Sequence, residues 1–257
     1  MSVPTVVVHR DADILAKAVA ARIITRLVDV QSAKGTASLV LTGGTIGIAT
    51  LAAIAGTPAR DAVDWRRLDI WWGDERFLPD GDPERNETGA RRALLDHVDV
   101  DPERVHVMLG PDSGLTAEES ADAYATELAK AARPEDHGPS PSFDVTLLGM
   151  GPDAHVASLF PGMPALYDTR PVVAVHGAPK PPPTRISLTL PALQASREVW
   201  VIAAGAEKAG AVRLALSESG PVQVPAAGAR GRSRTLFLLD RTAAGKIPPG
   251  LGRLASP

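Results

Sequence analysis

The sequence predicts an α/β fold: a single doubly wound, mostly parallel open sheet with helices on both faces, built as one domain over residues 1–257. Three observations predict it. Short β-rich runs alternate with longer Ala- and Leu-rich stretches of helical period, which implies parallel strands joined by right-handed crossovers. Several apolar runs end in glycine-rich turns, where the chain of such a sheet passes from strand to helix. The 257 residues are 44% hydrophobic and 22% charged, a globular composition. A domain of this length buries roughly three quarters of its unfolded surface.

Taken in order, a strand over 5–8 leads into a helix over 11–27. There Ile14, Leu15, Ala18, Val19, Ile23 and Leu27 recur at helical spacing, and Asp11 or Asp13 caps. A strand over 38–41 precedes a helix over 46–55, and a strand over 68–72 ends at Gly73. A helix over 86–97, a short strand over 105–108 and a helix over 116–132 follow. The strand over 143–148 is succeeded by strands over 172–175, 199–203 and 235–239, with a helix over 207–216 between the last two. The polar segment 133–142 reads as a surface loop and the proline run 179–183 as a stiff, extended one.

Several function classes are excluded or disfavoured at this level. With 27 basic and 30 acidic residues the net charge is −3, which offers no basic field for a phosphate backbone. Aromatics at 4% leave few stacking platforms, so no nucleic-acid partner is expected. Absence of cysteine excludes disulfides, thiolate metal sites and a cysteine nucleophile. The histidines show no metal-ligand spacing, so no metal is expected. There is no apolar run of about 18 residues and no Gly-x-Ser-x-Gly elbow. Charge follows the first apolar run instead of preceding it, the reverse of a secretory signal. A cytoplasmic protein without membrane partners is the expectation.

Four segments fall at carboxyl ends of strands, where open α/β sheets bind ligands. Thr42-Gly43-Gly44-Thr45 joins a strand to a helix start; read alone, it serves a phosphate site or a tight turn. Asp74-Glu75-Arg76 sets three charges directly after an apolar strand; Asp74 or Glu75 holds Arg76, and Arg76 clamps an anion or forms an ordinary salt bridge. Gly149-Met-Gly-Pro-Asp153-Ala-His155 offers an imidazole, the side chain best matched to proton transfer near neutral pH. Arg185 and Lys208 belong to the fourth segment; a cation at the helix start where Lys208 stands is disfavoured unless an anion is present.

Together these segments resemble the 6-phosphogluconolactonase family. The matching pieces are Thr42-Gly-Gly-Thr, Trp72-Gly-Asp-Glu-Arg-Phe with Asn86, Leu148-Gly-Met-Gly-Pro-Asp-Ala-His-Val-Ala-Ser-Leu-Phe-Pro-Gly162, Arg185-Ile-Ser-Leu-Thr-Leu-Pro-Ala-Leu, and Gly205-Ala-Glu-Lys-Ala. They occur in the family's order between about residues 40 and 210. The resemblance implies a modified Rossmann-like sandwich, hydrolysis of 6-phospho-D-glucono-1,5-lactone, and no cofactor or metal. It implies His155 as the catalytic base, Asp153 or Asp74 as its orienting carboxylate, and Arg76 or loop N–H groups at the oxyanion. Thr42, Gly43, Gly44, Thr45, Arg185 and Lys208 would hold the phosphate. The expected partner is this small molecule alone, bound by a monomer or homodimer.

Two departures from the family pattern carry expectations. Ala154 stands where the family usually has Gly; at positive φ it would cost on the order of 1 kcal/mol. The first loop reads Thr-Ile-Gly-Ile where many relatives have Ser/Thr-Pro. The nearest rival is glucosamine-6-phosphate deaminase, whose members carry an Asn-Glu-Pro segment after the histidine. Here that stretch is Ala157-Ser-Leu-Phe-Pro161, without a carboxylate. A non-catalytic sugar-phosphate binder is the rival from another class.

Overall fold

The computed structural model describes residues 1–217 and 219–255. The expected alternation forms a seven-stranded sheet from β1 (Pro4–His9), β2 (Ala37–Leu41), β3 (Leu68–Trp72), β5 (Val145–Gly149), β8 (Glu198–Ala203), β9 (Arg234–Asp240) and β10 (Gly252–Leu254). Its order is β10-β1-β9-β8-β5-β2-β3, and every neighbouring pair is parallel. Successive side chains on a strand point to opposite faces, and both faces are covered. Val7, Leu39 and Leu41 pack into one apolar cluster together with residues of α1 (Ala12–Lys34) and α2 (Gly44–Ala55). Val6, Val8 and Val40 pack into the other, with residues of α4 (Ala117–Ala131) and α6 (Ala209–Ala215). α3 (Asn86–Ala93) packs beside α2, while α5 (Leu190–Gln194) and α7 (Pro225–Gly228) are short connecting helices.

Beside this sheet lies a small antiparallel one, in the order β4-β7-β6, from β4 (Asp74–Arg76), β6 (Val172–Val175) and β7 (Arg185–Leu188). The strand expected over 172–175 belongs here and not to the large sheet. A parallel partner needs a crossover of about a dozen residues or more; the connection 176–184 is too short, so β6 and β7 pair antiparallel. Gly73 turns the chain out of β3 into β4; its N–H donates to Leu41 O and its carbonyl accepts from Leu188 N, joining the two sheets.

Other boundaries moved for local reasons. Asp11, not Asp13, caps α1 through its bond from Ile14 N at 2.9 Å, and the helix runs on to a left-handed Gly35 at φ 82°. The helix expected over 86–97 ends at Ala93 and finishes as a 3-10 turn, Leu95–His97. The strand expected over 105–108 is a single bridge from Val105 to Ile70. Its Met108 carbonyl accepts instead from the Arg85 guanidinium at 2.7 Å. α4 opens with a reciprocal capping box between Thr116 and Glu119.

Candidate active site

A cleft of about 730 Å³ opens at the carboxyl ends of the parallel strands. It lies where strand order reverses: β2 leads outward to β3, whereas β5 lies on its other side. Such a switch point spreads adjacent loops apart and leaves a crevice. Thr42, Gly43, Gly44, Thr45, Asp74, Arg76, His155, Arg185 and Lys208 all line it. Asp153 stands behind His155, on its ring.

The loop after β2 depends on both glycines. A Cβ on Gly43 would run into the Asn86 side-chain amide, and Gly44 sits at φ 76°. Gly43 is the N-cap of α2 and brings no side-chain oxygen, so the first N–H groups of this helix stay available to an anion. Thr42 Oγ1 accepts from Gly149 N at 3.1 Å, tying this loop to the one after β5.

The loop after β5 carries the imidazole. Gly151 N donates to His155 O and Ala154 N to Gly151 O, both at 3.0 Å, so the chain folds tightly back on itself. A Cβ on Gly151 would strike the His155 ring and the Asp153 carboxylate. Asp153 Oδ1 lies 2.5 Å from His155 Nδ1. The ring also packs on Phe160 in a tilted arrangement, centroids 4.5 Å apart. Of the two carboxylates considered for the imidazole, Asp153 touches it and Asp74 does not. Asp74 is buried and accepts instead from Ser158 Oγ at 2.6 Å and Asn86 Nδ2 at 3.3 Å.

Burial alone would raise Asp153, but the His155 hydrogen bond, the imidazole charge and the field of Lys180 outweigh it and bring the carboxyl to about 2. Since that lies below the unfolded value of 3.8, the pair adds stability above pH 3.8 and loses it as pH falls through about 2. The Asp153 side chain is 34% exposed, so the effect is modest. Urea midpoints of wild type and Asp153→Asn should therefore differ at pH 6 and converge towards pH 2.5. A gap that stays constant would show that ionisation of Asp153 contributes nothing to folding.

Ala154 does sit at positive φ, 66°. Strain of about 1 kcal/mol is offset because the residue is buried, 2% exposed, and a buried methyl contributes about 0.8 kcal/mol. The near cancellation explains how Ala occupies a glycine position. Ala154→Gly is expected to move Tm by less than about 3 °C; a calorimetric shift well beyond that in either direction would show that one term dominates.

Of the two carboxylates expected to hold Arg76, Glu75 does so through the Arg76 backbone N–H at 2.9 Å; among the described residues neither bonds its guanidinium. Arg76 Nη1 donates to Glu84 O, and its Nε is buried without a hydrogen-bond partner among the described residues. Glu75 is buried and accepts backbone N–H groups from Arg76, Asn86 and Glu87 at 2.6–2.9 Å, capping α3. Burial pushes its carboxyl up to about 7 against these donors and Arg85.

Lys208 ends the 3-10 turn Ala206–Lys208 and is the N-cap of α6. Burial, then the charge of Lys180, lowers its ammonium from the usual value. Gly205 before it is at φ 104°, and its N–H donates to Asp240. Arg185 is buried, lowered chiefly by that burial, with its guanidinium 5.7 Å from the Phe160 ring centre.

Lys180, Glu207, Asp240 and Asp13 also line the cleft and were not anticipated. A lone cation between prolines gave the only usable signal, for Lys180. Among the described residues, no group of three or more His, Cys, Asp or Glu is placed to hold a metal, and no helix is long and apolar enough to cross a membrane.

Comparison with known proteins then gives independent findings. Residues 10–238 match the family model described as glucosamine-6-phosphate isomerases/6-phosphogluconolactonase. The chain is 62% identical to the 6-phosphogluconolactonase of Streptomyces coelicolor, covering 96% of each chain. It is 49% identical to that of Mycobacterium tuberculosis, covering 93% of this chain and 96% of the other. Among solved structures, the 6-phosphogluconolactonase of Trypanosoma brucei superposes with a TM-score of 0.78 at 29% identity, covering 95% of this chain and 99% of that one.

Proposed function

Because the chain belongs to the glucosamine-6-phosphate isomerase/6-phosphogluconolactonase family, we propose that its cleft hydrolyses 6-phospho-D-glucono-1,5-lactone to 6-phospho-D-gluconate. The enzyme is a carboxylic ester hydrolase of the oxidative pentose phosphate pathway. The observation that carries the reading is the Asp153–His155 contact at the cleft wall.

Asp153, held ionised, is an acceptor only, so the proton between the pair sits on His155 Nδ1 and the Nε2 lone pair is basic. Nε2 removes a proton from water as its oxygen attacks C1. The lactone carbonyl becomes an oxyanion, and the Arg76 cation at the cleft stabilises it. Collapse breaks the bond from C1 to the ring oxygen, which takes the proton from Nε2. The new carboxylic acid then ionises to solvent. The phosphate is held by the 42–45 loop, Arg185 and Lys208, and this remote binding positions C1 at the imidazole.

The deaminase reading is disfavoured by the segment after His155. Ser158 is buried there with its hydroxyl on Asp74, and residues 157–161 themselves carry no carboxylate to assist ring opening. Freshly prepared lactone and glucosamine 6-phosphate offered in parallel separate the two. Lactone loss well above the spontaneous rate, without ammonia release, is expected. Ammonia release with lactone loss at background would overturn the assignment.

We take residues 1–257 as one catalytic domain, supported by a cleft that draws on both sheets of one chain. A single chain therefore suffices for the site, whether the protein is a monomer or a homodimer. A cytoplasmic location fits a substrate whose phosphate does not cross a bilayer unaided.

A further inference from the structure

The connection 176–184, between β6 and β7, is unusually well fixed for a proline-rich loop. Arg185 gathers three consecutive carbonyls of it. Nη2 donates to Lys180 O at 3.0 Å and Pro181 O at 3.1 Å, and Nε donates to Pro182 O at 3.1 Å. Ala178 N donates to Pro183 O at 3.0 Å, closing the segment on itself. The Lys180 backbone is thereby anchored while its side chain is exposed and lines the cleft.

Lys208 lines the same cleft from the turn after β8, in the other sheet. Lys180, Lys208 and His155 line one cleft, and the charge of Lys180 is felt at both Lys208 and Asp153. Among the described residues neither lysine has a carboxylate within ion-pair distance. Two cations lining one cleft repel; the fields of Glu207 and Asp153 at Lys208 oppose its lowering but do not outweigh burial and Lys180, and a dianion bound to both lysines removes the repulsion and adds charge-assisted hydrogen bonds.

We propose that Lys180 is a substrate-binding residue that grips the phosphate of the ligand jointly with Lys208, bridging the small sheet to the large one. Arg185 then has two tasks: it faces the cleft, and it is the positioning residue for the segment that carries Lys180. The proposal rests on the sugar-phosphate reading above and deepens it. It makes Lys180 a determinant of the preference for phosphorylated over unphosphorylated lactones.

The test is calorimetric titration of 6-phosphogluconate and of inorganic phosphate into wild type, Lys180→Met and Lys180→Arg, with steady-state kinetics alongside. A lost charge-assisted bond should weaken 6-phosphogluconate binding about tenfold or more in Lys180→Met. Lys180→Arg should retain affinity to within about threefold, because the cation remains. The Met variant's loss should appear in KM more than in kcat, should shrink at high salt, and should lower discrimination between phosphorylated and unphosphorylated lactone. Wild-type affinity in Lys180→Met, or a loss confined to kcat, would overturn the proposal, as would a wild type that binds neither ligand. Binding is read without turnover. A wild type that binds 6-phosphogluconate but hydrolyses no lactone would sink the hydrolytic reading and leave the lysine comparison decisive.

Discussion

Arg85→Met is expected to destabilise the protein by about 3–5 kcal/mol, the usual cost of removing one partner from a buried ionic network. The Arg85 side chain has no exposed surface. Its Nη1 reaches Asp80 at 2.8 Å and Leu78 O at 3.1 Å, its Nη2 reaches Met108 O at 2.7 Å and Glu87 at 3.3 Å, and its Nε lies 3.8 Å from Glu75. Methionine fills similar space but leaves two carbonyls without their donor and a buried Glu75 without its nearby cation. For a chain of this size Tm should fall by on the order of 10 °C.

The pH dependence of that loss is also set. Glu75 has a folded value of about 7 against 4.5, so its contribution is present below pH 4.5 and is lost as pH rises through about 7. Without Arg85 the carboxyl is held protonated more strongly, and the deficit of the variant should shrink as pH drops from 7.5 to 5. Calorimetry at those two pH values checks both statements. A Tm change below about 2 °C would show that the network is energetically idle.

Much of this arrangement is legible in the sequence because it follows from short-range chemistry. The alternation of Val6 and Val8 with Val7, or of Leu39 and Leu41 with Val40, is a two-residue period that any parallel strand between two helical layers must have. Gly43, Gly44, Gly151 and His155 stand out because strand-to-helix corners need glycine and a lone imidazole there is conspicuous. What the sequence hides is long-range. β4, β6 and β7 are three or four residues long, and only their mutual pairing makes them a sheet. Asp74 and Asp153 are both carboxylates near the histidine in sequence or family pattern. Only the folded chain puts Ser158 on one and the imidazole on the other. Lys180 looks like a solvated loop residue until Arg185 is seen holding its backbone.

His155→Ala is expected to lower kcat/KM by about 10²–10⁴, the range for losing a general base or acid. The loss should sit in kcat, since the imidazole acts on water and the ring oxygen while the phosphate is bound elsewhere. Folding should survive. The ring is 17% exposed and its main packing contact is Phe160, so truncation at the cleft wall opens space to solvent and not to the core. Affinity for 6-phosphogluconate should change by less than about threefold, because the proposed phosphate ligands are untouched.

The most direct measurement follows loss of freshly generated 6-phosphogluconolactone, against its spontaneous hydrolysis, with wild type and His155→Ala side by side and product affinity measured on both. Rapid loss is expected with wild type, and near-background loss with a variant that still binds 6-phosphogluconate. Wild-type loss at the background rate, or full activity in the variant, would contradict this: the first removes the lactonase, the second removes His155 as its base.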